Sequence, residues 1–128
     1  RGLGDVYKRQ GYLNFDMIGR NNQPQNPKHV VYFYTEANAA FGKWLKEDIK
    51  KYNLRLEPDY RPWDNPIGGS DNSSFAKAGV PIIWYHTDGH PDYHQPSDHA
   101  DRLNWEKIVE ITRASFLNAW NLANEKEY

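Results

Sequence analysis

From Gly11 onward the chain alternates between short apolar runs and longer stretches with helical spacing. Tyr12 to Ile18 is a mostly apolar run bounded by Gly11 and Gly19, which predicts a buried strand. Arg20 to Lys28, with Asn, Gln and two Pro, is a loop. His29 to Tyr34 is β-branched and aromatic and predicts a second strand. Glu36 to Tyr52 then takes up a helical period. Ala37, Ala40, Phe41, Trp44, Leu45, Ile49 and Tyr52 share one stripe, with Lys43, Lys46, Glu47 and Lys50 on the solvated face opposite. Leu54 to Leu56 is a short strand candidate, and Pro58 to Gly69 is a long irregular loop of the kind that often carries function.

Ser70 or Asp71 would cap a short helix running through Ala78, with Gly79 as its stop. Val80 to Tyr85 follows as a nearly continuous apolar strand, then His86 to Arg102 as a second long loop. A final helix from about Leu103 to Asn124 is expected to bury Trp105, Ile108, Val109, Thr112, Phe116 and Trp120. Helices alternating with buried strands predict α/β layers around a mostly parallel central sheet. In such sheets ligand sites lie beyond the carboxyl ends of the strands. Asp16 and the histidine-rich loop after Tyr85 both fall there.

Composition narrows the partners. Leu, Ile, Val and Phe make up only 25 of 128 residues, but 16 basic against 17 acidic residues leave a net charge of -1. Disorder needs a high net charge as well as few aliphatics, so a folded domain is expected. The same balance argues against nucleic acid as the main partner. No apolar run approaches the roughly 20 residues that span a bilayer. With no cysteine, any metal must be held by His, Asp or Glu.

Arg1 to Gln10 has neither strand nor helical period and resembles translated adaptor sequence. A polar, frayed terminus is the alternative. Residues 1–10 are therefore set aside as a non-native or disordered leader, and residues 11–128 carry the fold. The chain begins at Arg1, shows no targeting signal and reads as a piece of something longer.

His86, His90, His94 and His99 lie within one loop, interleaved with Asp88, Asp92, Asp98 and Asp101. Imidazole and carboxylate are the donors that zinc takes when thiolate is absent, though such a loop read alone is more often a solvated polar turn. Asp16 stands out because a carboxylate inside an apolar run is costly unless it is paired, hydrogen-bonded or metal-bound. Tyr93 can anchor the loop by its ring, and Ser70 and Asp71 can serve as helix caps. His90 reads as loop-shaping, and His29, His86 and His99 as packing or surface groups.

Asn14-Phe15-Asp16-Met17-Ile18-Gly19, followed by His90-Pro91-Asp92-Tyr93-His94-Gln95-Pro96-Ser97-Asp98, resembles the C-terminal half of the dinuclear zinc aminopeptidases. These α/β exopeptidases share a superfamily with glutamate carboxypeptidases and glutaminyl cyclases. The Gly69-Ser70-Asp71 turn, Phe75 to Pro81, and Ala100 to Glu106 extend the similarity from Tyr12 to about Val109.

The resemblance implies an incomplete three-layer zinc-exopeptidase sandwich and two zinc ions in the complete domain. It implies Asp16 and His94 as metal ligands and Tyr93 as the hydroxyl that holds the oxyanion. Asp98 and Asp101 would brace the loop, and Ser70 and Asp71 would border the substrate pocket. Departures fall at Asn72, His99 and Gly69, where relatives carry His, Thr and Arg, and bear on substrate preference. The function implied is removal of N-terminal residues from peptides by an exported enzyme. The upstream ligands, the general base and the missing N-terminal half of the domain lie outside this chain, so the fragment alone would be inactive. A glutaminyl cyclase-like acyltransferase and a non-catalytic binding relative are the alternatives.

Overall fold

The computed structural model describes residues 11–128, so the leader reading of residues 1–10 lies outside the described residues. The elements run β1 (Tyr12–Phe15), β2 (His29–Thr35), α1 (Ala40–Tyr52), β3 (Glu57–Trp63), α2 (Asn72–Lys77), β4 (Ile82–His86), a 3-10 turn (Ala100–Arg102) and α3 (Trp105–Asn124). The four strands form one open sheet in the order β1-β4-β2-β3. β1 is parallel to β4 and β2 to β3, while β2 and β4 are antiparallel, so the sheet is mostly parallel as expected.

The alternation of side chains along each strand divides the layers. Val30, Tyr32, Ile83 and Tyr85 point to one face and pack with Phe41 and Leu45 of α1 and Ile111 and Ala114 of α3. Each large apolar side chain fully buried here contributes about 1.5–3 kcal/mol. The two core tyrosines satisfy their hydroxyls, Tyr32 on the Phe41 carbonyl and Tyr85 on Asn118. On the other face Phe75 of α2 stacks on Tyr12 at 3.8 Å, and Asn72 meets Asn14. No helix among the described residues is long and apolar enough to cross a membrane.

Three expectations change. The stretch read as loop from Pro58 contains β3, whereas Leu54 and Leu56 are buried in the link before it. β3 is an edge strand, and its Glu57 N–H bonds the Lys28 carbonyl on the side of β2. By the two-residue period, Pro58 and Pro62 turn their missing N–H toward the open edge, where no ladder bond is lost.

The face of α3 is also different. Trp105, Phe116 and Trp120 are 63%, 65% and 60% exposed, Val109 and Thr112 are exposed too, and Ile108 is half-buried. Lys107, Glu110, Ile111, Ala114, Asn118 and Leu122 are buried instead. The polar members of that stripe each find a partner: Lys107 on backbone carbonyls, Glu110 on the Arg55 N–H, Asn118 on Tyr85. Finally, neither Ser70 nor Asp71 caps α2 with its side chain, because the Ser70 hydroxyl is committed elsewhere and Asp71 makes no cap bond. Gly79, at φ 75°, does end the helical segment as expected.

Candidate active site

β1 delivers Asp16 directly beyond its last paired residue, at the carboxyl end of the parallel pair β1–β4. The backbone there is pinned to β4. The Asp16 N–H bonds the Tyr85 carbonyl at 3.2 Å, and the Trp84 indole donates to the Asp16 carbonyl at 2.6 Å. His86 Nδ1 accepts the Met17 N–H at 2.9 Å, and Thr87 donates to the Met17 carbonyl at 3.0 Å. An Nδ1 that accepts this N–H carries no proton, so it cannot also donate to the Asp16 carbonyl beside it; the indole serves that oxygen. His86, read from sequence as a packing or surface group, is thus a backbone anchor for Asp16.

The Asp16 carboxylate is half-buried, and Ser70 donates to its Oδ2 at 2.5 Å. Its Oδ1 takes no hydrogen bond among the described residues. Ser70 is held on a turn shaped by Gly68 and Gly69, whose φ values are 111° and 78°. A Cβ at Gly69 would sit 2.9 Å from the Trp84 ring, so the indole fills the space beside this turn. Trp84 in turn stacks on Phe33 at 5.0 Å, with Trp63 next to both. Asn72 is fully buried and spends its amide on the Pro66 and Gly68 carbonyls, at 2.7 and 3.1 Å, tying the same turn down. Asp71 is exposed.

The loop after β4 is shaped by short turns: Tyr93 N–H to the His90 carbonyl, Gln95 to Asp92, and Asp98 to Gln95. Tyr93 and His94 are exposed at its crest, their rings 3.9 Å apart, and His94 has a left-handed backbone at φ 56°. Neither ring nitrogen of His94 is engaged among the described residues. His90 lies beneath, buried, with Nε2 3.9 Å from Asp98.

Asp92, immediately before Tyr93, is the electrostatic centre of the loop. It accepts the Ser97 hydroxyl at 2.6 Å, the Arg20 guanidinium, and Arg102 at 2.8 and 2.9 Å. Those bonds, Ser97 first and then Arg20, hold its carboxyl well below the usual carboxylate range against the opposing effect of burial. Arg20 bonds Asp98 through its other arm, and the two carboxylates, Asp92 first, raise the Arg20 pKa against the opposing effect of burial. Asp101 lies on the exposed 3-10 turn and His99 is exposed before it.

The structure therefore joins Asp16 to Ser70, Tyr93 to His94, and Asp98 to the base of that loop, while Asp71 and Asp101 stay apart at the surface. Among the described residues no three His, Cys, Asp or Glu gather into a metal-binding group. Sequence reasoning missed Arg20, Arg102 and the anchoring role of His86. Each acts on partners distant in sequence or across a loop, and no local spacing signals that.

The profile of peptidase family M28 matches residues 5–118. Two solved structures of Legionella pneumophila proteins are similar. The LapA aminopeptidase aligns with a TM-score of 0.69 at 22% identity, covering 98% of this chain and 35% of that one. A second LapA structure aligns with a TM-score of 0.70 at 22% identity, covering 96% and 35%. The chain thus spans about a third of the length of these structures, and the likeness is one of fold. No curated protein matches the chain. With its α/β layers and Asp16 beyond the end of β1, the chain belongs to peptidase family M28.

Proposed function

We propose that residues 11–128 are the C-terminal part of the catalytic domain of a zinc-dependent aminopeptidase that removes N-terminal residues from peptides. One observation carries the reading. Asp16 and the loop bearing Tyr93 and His94 both emerge at the carboxyl end of the parallel pair β1–β4, each with donor atoms free of hydrogen bonds among the described residues.

The donor chemistry suits zinc, since a carboxylate oxygen and a neutral imidazole nitrogen are its ligands where a chain lacks cysteine. Asp16 and His94 would hold the metal, each toward one of two ions, and ligands from outside this chain would complete the set. A catalytic zinc normally has three protein ligands, so the isolated chain is proposed to be inactive. Bound zinc would polarise the scissile carbonyl and lower the pKa of a water.

The chain's own groups then have distinct tasks. Ser70, by donating to Oδ2, would fix the Asp16 carboxylate and leave Oδ1 for a metal. The Tyr93 hydroxyl, on a half-exposed ring, would donate to the oxygen that gains charge as the peptide carbonyl is attacked. Phe33 and Trp63, half-buried against the Trp84 indole that bonds Asp16, would offer apolar surface for a substrate side chain.

The test is hydrolysis of aminoacyl chromogenic substrates by the complete protein that contains these residues. Zinc-dependent turnover should be lost in both Asp16→Ala and His94→Ala. Turnover that persists in either variant at the wild-type rate overturns the assignment.

A further inference from the structure

Asp16 and His94 stand on segments far apart in the chain, and besides the Thr87–Met17 bond at the loop's start the Arg20 side chain joins those segments. Arg20 follows four residues after Asp16, on backbone anchored to the first turn of α3. The Gly19 carbonyl accepts the Asn104 N–H at 2.8 Å, and the Arg20 carbonyl accepts the Lys107 ammonium at 2.6 Å. From this anchored backbone the guanidinium forks: Nη2 donates to Asp92 and Nη1 to Asp98. These two carboxylates bracket Tyr93 and His94 in sequence.

A planar guanidinium presents several N–H donors at fixed angles, so it can hold two carboxylates at once; a lysine is a single point of charge. The Arg20 side chain is only 12% exposed, as is that of Asp92. Arg102 also holds Asp92, but it belongs to the loop's own far end and does not reach the Asp16 segment. Between the two clamped points His94 keeps a left-handed backbone that a residue with a Cβ adopts only when its surroundings hold it there.

We propose that Arg20 is a positioning residue: its two-armed clamp on Asp92 and Asp98 sets the Tyr93–His94 pair relative to the segment that carries Asp16. The importance of that pair rests on the aminopeptidase reading above. The clamp itself is testable without metal or substrate.

The experiment uses the 128-residue chain and reads the His94 ring protons by NMR. With the His94 and Tyr93 ring centroids 3.9 Å apart and their planes tilted by 32°, they should be shifted upfield by the Tyr93 ring current. In Arg20→Lys that shift should fall by more than half, because an ammonium lacks the planar fork whose two arms fix both carboxylates, while resonances of the buried Tyr32 and Tyr85 stay in place. Asp98→Asn, at an exposed carboxylate, removes one arm, should lower the shift by less, and decides the matter if Arg20→Lys does not fold. His94 ring protons unmoved in a folded variant overturn the proposal.

Zinc titrated into the same samples separates the two readings. Arg20→Lys should weaken the His94 response about tenfold, as loss of a group that orients a ligand typically does. In the complete protein, zinc-dependent turnover retained in His94→Ala removes it as a ligand, and the ring-current result still decides the role of Arg20.

Discussion

Replacing Lys107 by Met removes a cation from the interior while keeping a long unbranched stem in its place. Lys107 is 2% exposed, and its ammonium donates to the Arg20 carbonyl at 2.6 Å and the His29 carbonyl at 3.2 Å. Burial pushes its pKa down from 10.5 to about 8. In the unfolded chain the amine keeps its proton until about pH 10.5, so between the two values the unfolded state binds more protons and stability rises with pH.

Below pH 8 both states carry the charge and the full burial cost is present; above it the folded state sheds the proton and the cost is relieved. At about 1.4 kcal/mol per pH unit, wild type should gain about 2–3 kcal/mol on the Met variant between pH 7 and pH 10. Tyr32 and Tyr85, whose pKa values burial pushes well up, lower the stability of both proteins near pH 10 and cancel in the difference. The assay is urea unfolding of both chains at pH 7, 8, 9 and 10. The Met variant also takes the ammonium donor from two part-buried carbonyls, an offset that does not change with pH. A stability gap that stays flat across this range would refute the argument.

Two further outcomes follow from the candidate site. Tyr93→Phe in the complete protein should lower kcat about 10²–10³-fold with zinc content unchanged, as loss of one oxyanion donor does; wild-type kcat at full metal loading would leave Tyr93 as a loop anchor. Gly69→Ala should destabilise the chain by about 1–2 kcal/mol for the left-handed backbone at φ 78°, and more as the Trp84 ring gives way from 2.9 Å. Unfolding midpoints and near-ultraviolet circular dichroism of the indoles measure this, and an unaltered Trp84 signal at wild-type stability would contradict it.

Much of the fold is legible along the chain because secondary structure has a local period. The stripe from Phe41 to Ile49, the apolar run of β4 and the stop at Gly79 need only neighbours a few residues away, and each forms where the pattern places it. Asp16 was also legible, since a carboxylate at the end of an apolar strand needs a partner, and the Tyr93–His94 string carried the family resemblance.

The burial of α3 was decided by tertiary structure. Its apolar stripe of Trp105, Val109, Phe116 and Trp120 is the stronger by hydrophobicity, yet the helix buries Lys107, Glu110 and Asn118, because carbonyls, an amide and a hydroxyl from distant segments give each a partner, with only the Asn118 Nδ2 left unpaired among them. β3 hid behind two prolines whose missing donors matter only if the strand is central, and its place at the sheet edge is a property of the assembled sheet. Arg20 and His86 read as a loop cation and a packing histidine until the fold brings Asp92, Asp98 and the Met17 amide to them. Periodicity fixes which side chains share a face; which face is buried, and which polar groups it can afford to bury, depends on partners that only the folded chain brings within hydrogen-bonding distance.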